Sequence, residues 1–189
     1  MAHPKPRFPR PTTMAHQLVA ATVDAGDTVV DATIGNGHDT LFLAGLVGAS
    51  GLVIGFDIQE EAIEQTRNRL AETESVRLHL DSHGNMKNYL EGEVKAVMFN
   101  LGYLPGGDQK IITVPDSTLS ALKTATEHLS IHGVITIVAY IGHEGGSEEA
   151  SQVDQWAGAL CADHYSVIRY EFSNRRNKAP YLIGIQRLA

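Results

Sequence analysis

The chain has 189 residues, 43% of them hydrophobic and 20% charged, a globular composition that excludes a disordered chain and suits one domain with its own core. A formal net charge of −7 excludes the broad basic surface by which proteins grip long duplexes, leaving two short basic clusters, Lys5/Arg7/Arg10 and Arg175/Arg176/Lys178. The one cysteine, Cys161, rules out an intrachain disulfide and fits a reducing, cytoplasmic setting. The first residues lack the apolar stretch of a signal peptide, and no run approaches the roughly 20 apolar residues of a membrane span.

Residues 1–11 are expected to form a flexible arm ahead of a single domain over 1–189. Thr12 or Thr13 is a candidate N-cap for a helix to about Val23, with Leu18, Val19 and Val23 on one face. A short buried strand follows over 27–31, then a turn at Gly35 and Gly37 and a helix over 38–47. Next come a strand over 52–57, a long helix over 59–72, a strand over 76–80, a short helix near 85–90 and a strand over 94–99. A Gly/Pro-rich loop over 100–114 leads to Pro115, placed as an N1 proline for a helix to about Leu129. The run 133–140 is almost wholly apolar, as expected of a strand covered on both faces. A last helix spans 148–162, with Glu148 and Glu149 complementing its dipole and Trp156 in the core. Segments 165–172 and 180–187 alternate like an antiparallel pair.

Strand–helix alternation of this kind implies a parallel sheet with right-handed crossovers. The expected class is therefore α/β: a doubly wound, Rossmann-like class I methyltransferase fold, its seven-stranded, mostly parallel sheet ending in an antiparallel hairpin. Ligands in such sheets bind beyond the carboxyl ends of the strands, at the switch point beside the first strand.

The loops at that end carry the chemistry. In Asp31-Ala-Thr-Ile-Gly35-Asn-Gly37-His-Asp39-Thr40 an acid stands four residues before the first glycine. It would repel a phosphate and favour a ligand bearing an ammonium, such as the methionine end of S-adenosylmethionine. The dinucleotide fingerprint is not met, because its third glycine position is Thr40. Asp57 ends the second strand, where a carboxylate accepts both ribose hydroxyls of an adenosine. Asp81, Ser82 and His83 follow the third strand, where the adenine edge would be read. Asn100-Leu-Gly-Tyr103-Leu-Pro105-Gly-Gly-Asp108 resembles the Asn-Pro-Pro-Tyr motif of methyltransferases that modify nitrogen, with Leu101 and Gly102 in place of the prolines. His143, in the loop after the fifth strand, is a candidate for the acceptor site, and the segment 174–180 is placed to touch the substrate.

Together these motifs, with the GHEGG turn and the closing Asn-x-x-x-Ala-Pro-Tyr segment, resemble the rRNA methylase family of small class I methyltransferases. Its characterised members are tRNA 5-aminomethyl-2-thiouridine methyltransferases. The resemblance runs from about Thr12 to the C-terminus. It implies S-adenosyl-L-methionine as cofactor, the tRNA anticodon stem-loop as partner and no metal. Asp31, Thr33, Gly35, Asn36, Gly37, Asp39, Thr40, Asp57, Gln59, Ser82 and His83 would line the cofactor; Asn100, Tyr103 and His143 would line the acceptor amine. A methyltransferase on rRNA or a small amine, a non-catalytic cofactor-binding module and a dehydrogenase are the competing readings. A homodimer is one way to enlarge the scarce basic surface.

Overall fold

Parallel strands open a crevice at their carboxyl ends where the chain reverses its winding, and here the reversal falls between the first and fourth strands. This computed structural model describes residues 8–70, 74–104, 106, 111–175 and 179–189. From β1 (Thr28–Asp31) the chain steps outward through β2 (Leu52–Asp57) to β3 (Val76–Leu80). It then crosses back to β4 (Val94–Leu101) and β5 (Leu129–Ala139) on the other side of β1. β7 (Tyr181–Arg187) inserts antiparallel between β5 and β6 (Tyr165–Tyr170), giving the order β3-β2-β1-β4-β5-β7-β6. The fold is the expected seven-stranded, mostly parallel sheet with a C-terminal antiparallel hairpin.

Strand periodicity splits the core into two layers. Val29, Val53, Ala96 and Met98 face α1 (Pro11–Ala20) and α2 (His38–Val47). Their neighbours Val30, Ile54, Val97 and Phe99 face α4 (Pro115–His128) and α5 (Gly146–Gly158). α3 (Glu60–Leu70) packs beside α2 against β2 and β3. Among the described residues no helix is long and apolar enough to cross a membrane.

Several boundaries differ from the sequence reading, among them the last helix, which spans Gly146–Gly158 where 148–162 was expected. α1 starts at Pro11, with Arg10 at the N-cap and no side-chain cap, so Thr12 and Thr13 lie inside its first turn. The N-terminal segment is docked from Pro9 onward: the Pro9 carbonyl accepts a hydrogen bond from the Tyr170 hydroxyl (2.8 Å), and Pro11 is buried. β5 begins four residues early, because Val94 pairs with Leu129 while Ala96 pairs with Val134. The surplus residues bulge outward, with His132 at φ 63. The short helix after β3 is a 3-10 segment over His83–Asn88, led by the Ser82 side chain accepting from the Gly84 amide (3.2 Å). The segments 1–7, 71–73, 107–110 and 176–178, with Pro105, lie outside the described residues. They include Lys5, Arg7, Asp108, Arg176 and Lys178 of the motifs above.

Gly37 caps α2 at φ 74, and a Cβ there would overlap the Thr66 side chain on α3. Gly37→Ala should therefore cost about 2 kcal/mol or more of unfolding free energy, from left-handed backbone strain plus overlap. Urea denaturation checks this, and adding Thr66→Ala should recover part of the loss.

Candidate active site

The turn after β1 is built around a carboxylate that meets no solvent. Asp31 accepts hydrogen bonds from Thr40 Oγ1 (2.6 Å) and from the Thr33 amide (3.2 Å), closing residues 33–40 over the strand end. Burial, joined by the charge of Asp39, pushes the Asp31 carboxyl up to about 7 against those two bonds. The sequence reading put Asp31, Gly37 and Thr40 among the residues around the cofactor, and the structure places them behind the turn. None of the three lines either cavity described below, because Asp31 turns beneath the loop toward Thr40 and Gly37 packs on Thr66. They shape the wall from behind.

A first cavity of about 330 Å³ opens between this turn and the ends of β2, β3 and β4, a size typical of small-molecule clefts. Thr33, Gly35, Asp57, Gln59, Ser82 and His83, which the motifs singled out, line it together with Asp81. Asp57 accepts from the Gly35 amide (2.9 Å) and the Gln59 amide (2.9 Å), so β2 and the glycine turn are tied through one carboxylate. Burial raises the Asp57 carboxyl despite these bonds, and its oxygens keep lone pairs for further donors. Ile58, Ile111 and Val114 supply large apolar side chains to the same cavity.

A second cavity of about 700 Å³ shares Thr33, Gly35, Asn100, Gly102 and Tyr103 with the first. Asn36, Asp39, Tyr140 and His143 also line it, as does His16 of α1, which the sequence reading did not single out. Asp39 stands between two donors, His16 Nε2 (2.7 Å) and Asn100 Nδ2 (2.7 Å). Because a carboxylate only accepts, the Asn100 amide must present nitrogen to Asp39 and direct its oxygen elsewhere. The backbone N–H of Asn100 donates in turn to Thr33 Oγ1 (2.7 Å). Burial alone would raise the Asp39 carboxyl, yet the hydrogen bonds of His16 and Asn100 and the charge of His16 hold it below its ordinary value. His16 stacks flat on Phe42, with ring centroids 4.0 Å apart. Burial, then the charge of Asp39, pushes the Tyr140 hydroxyl up, so it stays a donor. His143 meets the Tyr103 ring edge-on at 5.7 Å, and both of its ring nitrogens are buried without a hydrogen-bond partner among the described residues. That placement gives His143 the part of a wall.

His83 is buried, and its Nδ1 lies 3.1 Å from the Ala32 carbonyl oxygen. Burial drives its pKa down to about 4, so the imidazole is neutral at physiological pH and Nδ1–H donates to Ala32. On its other side Nε2 is 3.3 Å from Thr118 Oγ1, whose hydroxyl donates to Glu149 Oε1 (2.7 Å). Thr113 Oγ1 donates to Glu149 Oε2 (2.6 Å), while the Thr113 amide donates to the Gly102 carbonyl (2.9 Å). Glu149 is therefore more than a dipole complement: a buried carboxylate of α5 anchors the loop that carries Tyr103. The signal for it was present in the sequence. Glu149 lies on the helical stripe of Val153 and Ala157, both buried, where a charge requires a partner.

The raised pKa of Asp31 has a signed consequence. Between pH 4 and 7 the folded state keeps a proton that the unfolded chain has lost, so this group's contribution to stability falls as pH rises through that window. Asp31→Asn removes the ionisation, and its stability relative to the parent should improve by a few kcal/mol from pH 5 to pH 8. Urea titrations at the two pH values check this; an unchanged difference would show an ordinary carboxyl.

The sequence profile of the family described as "Putative rRNA methylase" matches residues 53–186. A curated tRNA (mnm(5)s(2)U34)-methyltransferase, chloroplastic, from Arabidopsis thaliana is 40% identical over 185 residues, covering 91% of this chain and 67% of the relative. A solved "putative rRNA-methylase" from Clostridium thermocellum is 43% identical with a TM-score of 0.94, covering 97% of this chain and 100% of that one. A solved "putative methyltransferase" from Streptococcus mutans in complex with SAH is 34% identical with a TM-score of 0.88, over 96% of this chain and 100% of its own. With S-adenosyl-L-methionine as its cofactor, the chain belongs to the rRNA methylase family of methyltransferase enzymes.

Proposed function

We propose that this enzyme transfers a methyl group from S-adenosyl-L-methionine to the exocyclic amine of 5-aminomethyl-2-thiouridine at the tRNA wobble position. The observation that carries the reading is the shared wall. Two cavities, one suited to a nucleoside and a larger one bordered by Asp39 and His16, meet at Asn100 and Tyr103. Methyl transfer needs such a junction, since donor and acceptor must approach in line.

The first cavity fits the cofactor by its donor set. Asp57 offers carboxylate lone pairs to a ribose, Ser82 and the 3-10 segment border the base, and Ile58, Ile111 and Val114 form apolar faces for a flat ring. Bound there, the cofactor supplies a methyl group on a sulfonium. In the second cavity Asn100 Oδ1, freed by the Asp39 clamp, accepts an N–H of the acceptor amine and turns its lone pair toward the donor. Alkyl ammonium groups titrate near ~10 in water, so the site must favour the neutral amine. Burial and a neighbouring sulfonium both do so. The charge of Asp39, which would oppose this, is engaged by His16 and Asn100. Tyr103 and Tyr140 offer ring faces to the uracil. The exposed free thiol of Cys161 fits a cytoplasmic enzyme.

The direct test is methyl transfer from labelled cofactor to tRNA lacking the terminal wobble modification, read by nucleoside mass spectrometry. The methylaminomethyl nucleoside is the expected product; its absence, with cofactor still bound, redirects the acceptor to rRNA or a small amine. On the active substrate, Asn100→Ala should lower kcat by about 100-fold or more, the scale of losing one positioned polar group. Cofactor affinity should stay within about threefold, because Asn100 orients the acceptor rather than the donor. Matching losses in kcat and cofactor affinity would refute that role.

A further inference from the structure

Outside the two cavities, one strip of surface combines cationic and aromatic side chains at the carboxyl edge of the sheet. β6 and β7 pair with Tyr170 opposite Leu182, and β7 and β5 with Tyr181 opposite Ala139. The end of β6 and the residues after it therefore lie on the same edge as Tyr140. Thr12 and Pro180 line the second cavity, so both borders of the strip are continuous with it. The strip is assembled by tertiary contacts. Tyr170 donates to the Pro9 carbonyl (2.8 Å), joining the segment before α1 to the end of β6. Tyr170 packs edge-on against Phe172 at 6.0 Å, and the Arg175 guanidinium sits 5.0 Å from the Phe172 ring centre. Arg10 and Arg175 are exposed, and Phe8 is 80% exposed. The neighbouring acids offset the strip only in part, because Asp154 (2.6 Å) and Glu171 (2.8 Å) share Arg169 and leave one net negative charge against the cations of Arg10 and Arg175.

We infer that this strip, centred on Arg10, Phe172 and Arg175, docks the RNA strand that flanks the acceptor nucleoside; the inference rests on the tRNA reading above. A chain with a net charge of −7 has no general attraction for RNA, so binding must come from a local site. Single strands are held where cations meet phosphates and exposed rings stack on bases. The fold brings basic residues from the two ends of the chain into one such place, beside the cavity that would receive an extruded base. Phosphate contacts of this kind fix register without reading sequence. That division suits an enzyme whose specificity lies in the acceptor cavity.

The test uses the full chain with cofactor, and a wobble-unmodified anticodon stem-loop, in anisotropy titrations at several salt concentrations. Arg10→Glu/Arg175→Glu should weaken RNA binding more than tenfold. It should also flatten the slope of log K against log salt by roughly 1.4, about 0.7 for each single-strand phosphate that is no longer neutralised. Phe172→Leu should weaken binding about fivefold or more while leaving the slope unchanged, since stacking releases no counterions. Lys123→Glu, an exposed charge on α4, should change neither value. Cofactor affinity, thermal midpoint and kcat at saturating RNA should match the parent in all variants. If the parent binds and methylates the RNA while the double variant keeps its affinity and slope, the docking strip is refuted and the tRNA reading stands. A parent that neither binds nor methylates the RNA refutes both.

Discussion

Asp31 is the constraint from which the site is assembled. Its carboxylate, sealed beneath the glycine turn, draws the Thr33 amide and the Thr40 hydroxyl to the end of β1. With that turn closed, the Gly35 amide reaches Asp57, Thr33 Oγ1 reaches the Asn100 amide, and Asp39 reaches the Asn100 side chain. Three strand ends are thereby registered to one another by side chains of a single loop. An ionised carboxylate in that position is costly, and its upward-shifted pKa is the sign of that cost. The fold retains it because no neutral side chain accepts two hydrogen bonds in that geometry as strongly.

A second network serves the opposite wall. His83 ties the end of β3 to the end of β1 through the Ala32 carbonyl, while Thr118, Glu149 and Thr113 link both later helices and the loop beyond β4. Each of these segments is thus tied to at least one other by a polar contact. Such preorganisation lets a site act by orientation, since its dipoles need not rearrange as charge moves during the reaction.

Much of this was legible in the sequence. α2 and β2 fall where the pattern put them, because apolar runs bounded by glycine or aspartate mark both their ends, and β3 does so through the alternation of Val76, Leu78 and Leu80 before Asp81. β5 was harder: Leu129 and Ser130 continue directly from α4 with no breaker, and the bulge at His132 interrupts the apolar run. The motif residues were found, but the direction each side chain takes was not. Asp31 and Asp39 sit in one motif, yet one turns under the loop and the other into the cavity, a choice made by Thr40 and by partners far along the chain. His16 lies 23 residues from Asp39 and Glu149 lies 31 from Thr118, separations over which local pattern carries no information. Glu149 alone left a trace, as an acid on an otherwise apolar helical stripe.

The carboxylates around the crevice also bear on how a turnover ends. Asp31 and Asp57 end adjoining strands, Asp39 stands in the first turn of α2, and Asp39 and Asp57 each contribute to the charge felt at Asp31. A crowded set of acids is eased by a positively charged occupant. Methyl transfer converts a sulfonium into a neutral thioether, so in the proposed seating of the cofactor these acids would attract the donor more than the spent cofactor and favour exchange of the by-product for a fresh molecule.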